Sequence, residues 1–421
     1  MLTTSYLPIS NVIYQHAEES ANLRNMRSAL VAAPHVKLSD LRRHDERLAA
    51  HLDGLAVAGE FGWDRCETAL ENPGIGEVFT ATVRAIEDKN SNGLEMLLAL
   101  VKAVPKSGPA FVSAFGWVSS QFLQGTIKGL LVSNVPFQRQ VGIAACAMHQ
   151  VDSGAALVGA INDSDVSLRA RGLRAAGEMG RGDLLSECLK DLADEDVVCR
   201  YRAASSAVLL GERAEAFDVL KGIALHPGPF RVRALRLVLK LLDASRSRLL
   251  LKTLASDPGN IRLLIQGAGI AGDSHYVPWL ITQMEDPTLS RVAGESLSFI
   301  TGLDLTKLDL NRDQPEGFES GLSDDPDDPD VAMDPDDNLP WPDPLKIKVW
   351  WGANMSRFSV DARHFIGEPA NLQNCERVLR EGYQRQRIAA AEYLCLLQPG
   401  TPLFPTSAPA WRQLRWLNKM G

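Results

Sequence analysis

One arginine recurs along this chain at nearly constant spacing, and that spacing restricts the fold more than any other feature. The gaps between successive copies are 30, 31, 31, 31 and 29 residues. The six copies, which we name the repeat arginines, are Arg139, Arg169, Arg200, Arg231, Arg262 and Arg291. So steady a period is typical of a solenoid, in which one supersecondary unit stacks on copies of itself.

Each repeat has the residues expected of two short helices joined by a turn. Three positions after the arginine, five of the six copies carry Gly or Ala, which lets a neighbouring helix approach closely. An Asp or Pro turn precedes the arginine, as at 163–165 and 286–287, and an apolar run precedes that turn. Asp accepts hydrogen bonds from the N–H groups of a first helical turn, and Pro has no N–H to lose there. We therefore expect an all-α fold, an α-solenoid of stacked helical hairpins.

This pattern resembles the HEAT-like repeats of the short, 31-residue type. Its best copies are "DSDVSLRARGLRAAGEMG" (163–180) and "DEDVVCRYRAASSAVLLG" (194–211). In that family, an Asp before the second helix and the Arg within it form a ladder between adjacent repeats. The resemblance implies ladder acids at Asp165 and Asp196 and ladder bases at Arg169, Arg200, Arg231 and Arg262. The turn at His226-Pro227 has no acid, so we expect a break in the ladder at that step.

The ladder is expected to continue through Arg291. The stretch "YQRQRIAAAEYL" (383–394) echoes "FQRQVGIAACAM" (137–148), which makes Arg385 a candidate for a seventh position. These arginines have two interpretations: structural pairs between repeats, or a basic stripe for a phosphate backbone. We favour structural pairs because acids recur with the arginines. Each exposed pair contributes only about 0.2–1 kcal/mol, so the apolar faces must supply most of the stability.

Length and composition narrow the class of protein. The 421 residues contain no apolar run long enough for a membrane span, and the N-terminus lacks the basic and apolar regions of a signal peptide. The six cysteines show no C-x-x-C spacing. We therefore expect buried, reduced thiols in a cytoplasmic protein with no membrane partner.

The negative charge of the chain is concentrated in one segment. Residues 313–343 contain 12 Asp or Glu and no Lys or Arg, whereas the rest of the chain has 44 basic and 40 acidic residues. The Pro, Asp and Gly content of this segment is incompatible with a packed core, which predicts a flexible acidic insertion. A calcium loop is the alternative, but the D-x-[DN]-x-[DN]-G order is absent.

The chain is expected to divide into five segments. They are an N-terminal helical region (1–74), degenerate or capping repeats (75–131), the regular HEAT-like solenoid (132–305), the acidic flexible insertion (306–345), and C-terminal helical pairs with a cap (346–421). Atypical terminal repeats are the rule in solenoids, because the end repeats must close the hydrophobic core.

No specific catalytic motif is present in the sequence. There is no H-E-x-x-H, Walker loop or G-x-S-x-G. The stretch "GAGIAG" (267–272) falls in a predicted second helix with no preceding strand, which argues against a nucleotide loop. We expect a non-enzymatic protein that has no cofactor and no metal.

Three tryptophans beside the acidic insertion are the candidate recognition residues. They are Trp341, Trp350 and Trp351. Tryptophan is enriched at binding hot spots, which favours a protein-binding surface here. The alternative, which is the more frequent role of such indoles, is that they close the hydrophobic end of the solenoid beside the insertion.

The whole chain also resembles a bacterial family of HEAT-like proteins encoded beside type VI secretion genes. The residues that suggest this are "HDERLAAHLDGLAVAG" (44–59), "LPWPDP" (339–344), "YQRQRIAAAEYL" (383–394) and "APAWRQ" (408–413). The resemblance implies an accessory or adaptor role in effector delivery, or an immunity protein that neutralises a secreted effector. It supplies no catalytic residues.

The main expectation is a scaffold that binds a protein partner. A DNA-binding solenoid is an alternative, with a second basic row at Arg171, Arg202 and Arg233, although the pI near 5.6 and the acidic insertion weigh against nucleic acid. A HEAT-like lyase that handles a chromophore is a third possibility, for which the sequence offers no catalytic group.

Overall fold

The computed structural model describes residues 9–318, 334–360 and 362–420, and these residues are mostly helical. The all-α class is confirmed. The helices of the described residues are α1 Ser10–Leu30, α2 Leu38–Val57, α3 Glu60–Ala69, α4 Ile75–Glu87, α5 Ser91–Ala103, α6 Gly108–Trp117, α7 Thr126–Leu131, α8 Pro136–His149, α9 Ala155–Ile161, α10 Val166–Glu178, α11 Leu185–Lys190, α12 Val197–Leu209, α13 Glu215–Leu225, α14 Arg231–Leu241, α15 Ala244–Leu254, α16 Ile261–Ala271, α17 Val277–Gln283, α18 Pro287–Thr301, α19 Pro344–Asn354, α20 Leu372–Glu381, α21 Gln384–Leu397 and α22 Ala410–Leu417.

Short 3₁₀ turns and two small strand pairs complete the described elements. The 3₁₀ turns are Pro105–Ser107, Ser120–Leu123, Gly182–Leu184, Asp191–Ala193, Pro258–Asn260, Ser274–Tyr276 and Met355–Arg357. Strand β1 (Asn311–Arg312) pairs antiparallel with β2 (Trp341–Pro342), and β3 (His364–Phe365) pairs antiparallel with β4 (Glu368–Pro369). The β1–β2 pair joins the two ends of the acidic insertion.

The chain forms two compact units. The first unit contains Met1–Cys188 and Pro402–Gly421, and the second contains Leu189–Thr401. The division into five segments stays a prediction. Of the acidic insertion, residues 319–333 lie outside the described part of the chain. None of the described helices is both long and apolar enough to cross a membrane.

Many of the helices begin at an aspartate that caps their first turn. Asp165, for example, accepts a hydrogen bond from the N–H of Leu168 at 2.9 Å, and Asp196 accepts from Val198 and Cys199. Other helices with an Asp cap are α15, α18 and α19, capped by Asp243, Asp286 and Asp343. The Asp and Asp-Pro turns of the sequence therefore mark helix starts, as their capping chemistry predicts.

The core of the first unit centres on α4, which packs against α1, α5 and α6. Phe79 on α4 and Phe111 and Phe115 on α6 are almost fully buried there. Helix α2 carries five leucines that are buried against this core or beside it. Helix α22, near the C-terminus, packs on α2 and so completes the first unit.

The second unit is built from successive helix pairs. Helix α13 packs on α12 and α14, α16 packs on α14, α15 and α18, and α20 packs on α21. A cluster around Ile265, Leu280, Val292 and Leu297 forms a continuous apolar core through α16, α17 and α18. The stretch 267–272 lies within and just after α16, where Gly269 meets the backbone of Ser296.

The small residue three places after the repeat arginine lies at a close helix contact. Gly172 on α10 is one of the two such residues in the first unit, and a Cβ atom there would lie 2.8 Å from the backbone nitrogen of Ile161 on α9. Real Cβ atoms do not approach a backbone nitrogen so closely. The need for Gly at this position is therefore steric.

We expect Gly172→Leu to destabilise the first unit by about 1–3 kcal/mol, because the added side chain overfills the contact between α9 and α10. Thermal unfolding followed by calorimetry would measure the change. Gly159→Leu is the matched control, since Gly159 lies on α9 and a Cβ there meets no atom within 4 Å. Equal stability of the two variants would contradict the packing argument.

Candidate functional site

The repeat arginines occupy equivalent local positions. Each lies within the first five residues of its helix, on α8, α10, α12, α14, α16 and α18 in chain order, and Arg385 lies at the second residue of α21. Their side chains therefore emerge beside the turn that starts each helix. What each guanidinium contacts there decides whether the row is structural or open to a ligand.

In the first unit, the pairing acid is Asp163 and not the predicted Asp165. Arg139 donates from Nη2 to Asp163 Oδ2 at 2.6 Å, while Arg169 donates from Nη1 to the carbonyl oxygen of Asp163 at 2.9 Å. The side chain of Asp165 is turned inward to cap α10, which explains why the acid two residues earlier takes the arginine. Asp196 has the same capping role on α12 in the second unit.

In the second unit, three arginines hold the segment Asp334–Asp336, which follows the undescribed part of the acidic insertion. Arg262 pairs with the carboxylate of Asp336, and Arg291 pairs with that of Asp334. Arg385 donates from Nη2 to the carbonyl oxygen of Pro335 at 2.5 Å and pairs through Nη1 with Glu295 at 2.9 Å.

This segment is held firmly in place by charge. The side chain of Asp336 is 4 % exposed and that of Arg291 is 6 % exposed. Burial alone would raise the pKa of Asp334, but the hydrogen bond from the Asp336 N–H and the charge of Arg291 outweigh it and lower that pKa. Charge-assisted bonds of this kind are about twice as strong as neutral ones.

The bound segment has the same local geometry as two of the helix-start turns. In the Asp-x-Asp sequences at 163–165, 194–196 and 334–336, the N–H of the second Asp donates to Oδ1 of the first at 2.8–2.9 Å. At Asp163 and at Asp334 the remaining oxygen, Oδ2, faces a repeat arginine. We name this arrangement the Asp-x-Asp turn. The sequence does contain a signal for this contact, since the Asp-x-Asp pattern of the helix-start turns occurs again at 334–336.

The predicted tryptophans lie beside this site but point into the protein. Trp341, on β2, is 8 % exposed and lies under the guanidinium of Arg291, with 4.7 Å between the Arg291 Cζ and the ring centre. The Phe318 ring meets this indole edge to face, with 4.9 Å between the two ring centres. Burial of this indole favours the packing role that the sequence left as the alternative.

Trp350 and Trp351 are only partly buried. Both lie on α19 and pack against the core of α16 to α18. Their rings also contact Phe358, with centres 6.3 and 5.5 Å from it. They stay candidates for recognition, since part of each indole reaches the surface.

The second basic row is partly neutralised. Arg171 is almost buried and pairs with Glu178, which also binds Arg174. Burial raises the pKa of Glu178, but the two arginines outweigh that effect and lower it to about 2. Arg202 lies against the stacked rings of Tyr201 and Phe230.

A buried ion cluster links α14 and α21 in the second unit. Lys240 pairs with Glu392, which also accepts from Arg236 Nη2 at 3.3 Å. Burial lowers the pKa of Lys240 to about 8, against the attraction of Glu392. The Lys240 ammonium also lies 5.0 Å from the ring centre of Tyr393, whose pKa burial raises to about 12.

The cysteines, which the sequence predicts to be buried and reduced, are the next candidates for chemistry. All six cysteines are buried and none is in a disulfide. Burial raises the pKa of Cys66, Cys375 and Cys395 to about 12, which keeps these thiols protonated. Within residues 9–318, 334–360 and 362–420, no group of three His, Cys, Asp or Glu side chains is placed to hold a metal ion.

The geometry of these contacts is the basis for a functional assignment. Its most distinctive feature is a row of arginines that takes up Asp-x-Asp turns. Comparison with known proteins found no matching family model, no similar curated protein and no similar solved structure.

Proposed function

We propose that this chain is a non-enzymatic scaffold or adaptor that holds a protein partner on an α-solenoid of HEAT-like hairpins with a period of about 31 residues. The observation that carries the proposal is the capture of Asp334–Asp336 by Arg262, Arg291 and Arg385. An accessory role in type VI secretion is part of the proposal and rests on the sequence resemblance.

The helix pattern supports the repeat. The helices that carry the repeat arginines begin at residues 136, 166, 197, 231, 261 and 287. Within the first unit α10 packs on α8 and α9, and within the second α16 packs on α14, α15 and α18. A helix that contacts its own partner and the equivalent helix of the preceding repeat is what a stack of hairpins requires.

The captured segment supports the binding role. Asp334–Asp336 lies outside the described helices and strands, 43 to 74 residues in sequence from the Arg291 and Arg262 side chains that bind its carboxylates. Its contacts are made by side chains that the helices already present in a row. A surface that binds a non-helical acidic segment of its own chain has the chemistry to bind one from another protein.

The test is recovery of a partner from the native host. The tagged full-length chain should retain a protein partner in stoichiometric amount through washing and size-exclusion chromatography, whereas the tag alone should not. Quantitative mass spectrometry would identify the partner. A chain that elutes alone, with no protein enriched over the tag control, would contradict the proposed function.

A further inference from the structure

One repeat arginine has no side-chain acceptor among the described residues. Arg200 donates from Nη1 to the carbonyl oxygens of Asp194 and Glu195, at 2.5 and 3.4 Å, in the turn before its own helix. The other repeat arginines of the second unit each have a side-chain acceptor: Asn260 for Arg231, Asp336 for Arg262 and Asp334 for Arg291. A guanidinium has five N–H donors, so Arg200 can still bind a carboxylate.

The sequence of the following turn explains this difference. Arg231 reaches forward to Asn260, which lies in the next helix-start turn, and Arg139 reaches forward to Asp163 in the same way. The turn that follows Arg200 reads His226-Pro227-Gly228-Pro229. It offers no carboxylate or amide oxygen, and the His226 ring bonds to the carbonyl oxygen of Gly222 through Nδ1.

A cavity opens at this step. It has a volume of about 410 Å³ and lies between the start of α12, one side of α13 and the turn at 226–230. Its walls are mainly apolar, from Val197, Val219 and Ile223, and Arg200 is the cation that faces it. Such a cavity, apolar with a single charged group, is typical of a site that fixes one polar end of a ligand.

We propose that this cavity is the docking site for an Asp-x-Asp turn presented by a protein partner. The inference rests on the proposed function and names its site and the chemistry of its partner. The first Asp of the partner turn would supply to Arg200 the carboxylate that no described residue supplies at this step. An apolar residue beside that turn would pack on Val219 and Ile223.

The protein itself provides the precedent for this ligand. At Asp163 and at Asp334, Oδ1 of the first Asp binds its own turn and Oδ2 faces a repeat arginine. The two acids come from different parts of the sequence, and one of them, Asp334, lies within the acidic insertion. The same ligand is therefore accepted by more than one repeat arginine. Charge complementarity and the apolar walls of the cavity together mark the Arg200 step as the place for a further copy.

The test uses a fluorescent peptide of sequence SDDPDDPDVA, which copies residues 323–332 and contains two Asp-Pro-Asp motifs. Anisotropy titration against the full chain at about 50 mM salt should show binding that weakens as salt rises. Arg200→Gln and Val219→Asp should each reduce affinity by about tenfold or more, since one removes the cation and the other puts a like charge on the wall. Arg246→Gln is the matched control, because Arg246 is exposed on α15, and it should leave affinity unchanged.

The second arm asks whether the chain occupies the site itself. The same titration would use a chain in which Asp325, Asp327, Asp328 and Asp330 are all replaced by Asn. Binding only to that chain would assign the site to the protein's own acidic insertion and overturn the assignment to a partner. No peptide binding to either chain would also overturn it. So would an Arg200→Gln chain that has the Tm of the native chain and binds the peptide equally well.

These outcomes separate this inference from the proposed function. A partner that the Arg200→Gln chain recovers as well as the native chain does would leave the scaffold role standing and remove this site. Peptide binding that depends on Arg200, without any partner in the pull-down, would support the site while contradicting the scaffold role.

Discussion

Replacing Glu392 with glutamine is expected to destabilise the second unit by about 3–5 kcal/mol, because it leaves a buried ammonium without its counter-ion. The Lys240 side chain is 2 % exposed, and Glu392 is its ion-pair partner among the described residues. Arg236 shares the same carboxylate, so the substitution leaves two cations facing each other. Thermal and denaturant unfolding of the full chain would measure the loss.

Glu381→Gln is the matched control for this variant. Glu381 ends α20, in the helix pair that contains Glu392, and it is exposed. Exposed substitutions of this kind change stability by less than about 0.5 kcal/mol. The double variant Lys240→Met with Glu392→Gln should recover part of the loss, because it removes the unpaired charge. A loss as small as that of the control would show that the pair contributes little.

The same pair has a pH dependence whose sign follows from the Lys240 pKa. Burial lowers this pKa from 10.5 to about 8, so between about pH 8 and 10.5 the unfolded chain binds the proton and the folded chain does not. Stability from this group therefore rises with pH across that window. The unfolding free energy of the native chain, minus that of Lys240→Met, should therefore increase as the pH rises from about 8 to 10.5. A difference that does not change with pH would contradict the lowered pKa of Lys240.

The second large effect is expected at Asp45. Asp45 is fully buried on α2 and binds Arg27 through both oxygens, at 2.7 and 3.2 Å. Its Oδ2 also accepts from the N–H of Ala410 at 2.8 Å, at the first residue of α22. Arg27 adds hydrogen bonds to the carbonyl oxygens of Ser407 and Ala408. This single carboxylate therefore fixes the C-terminal helix to the first unit.

Asp45→Asn should cost about 3–5 kcal/mol, since it removes the charge that compensates a buried guanidinium. Release of α22 gives a second readout, because trypsin should cleave at Arg412 and Arg415 faster than in the native chain. In the native chain Arg412 is buried and donates to the carbonyl oxygens of Gly116 and Val118. Asp53→Asn, an exposed change on the same helix, is the control. Unchanged cleavage and stability would show that α22 is held by its apolar contacts alone.

The parts of the fold set by short-range chemistry could be predicted from the sequence. Asp caps, the apolar face of α2 and the small residue at Gly172 all depend on neighbours a few residues or one helix away. The absence of an acid at His226-Pro227 also predicted a break in the ladder at that step. These features need only helix geometry and hydrogen-bond chemistry.

The contacts of the candidate site depend on residues far apart in sequence, and these could not be predicted. Asp336 reaches Arg262 across 74 residues, and Glu295 reaches Arg385 across 90. The composition of 306–345 predicted a flexible insertion, whereas at its described ends the β1–β2 pair and Asp334–Asp336 are ordered by contacts with other elements. Trp341 was a candidate for recognition as well as for packing, and its contacts with Arg291 and Phe318 are likewise made across many residues of sequence.

The β1–β2 pair also determines how this protein tolerates change in length. Because Arg312 pairs with Trp341, the residues between these strands leave and return at neighbouring points of the second unit. The entropy of closing such a connection rises by only about 0.6 kcal/mol for each doubling of its length. We therefore expect that a reporter domain or an epitope inserted between these strands leaves the contacts of Asp334–Asp336 with their arginines intact.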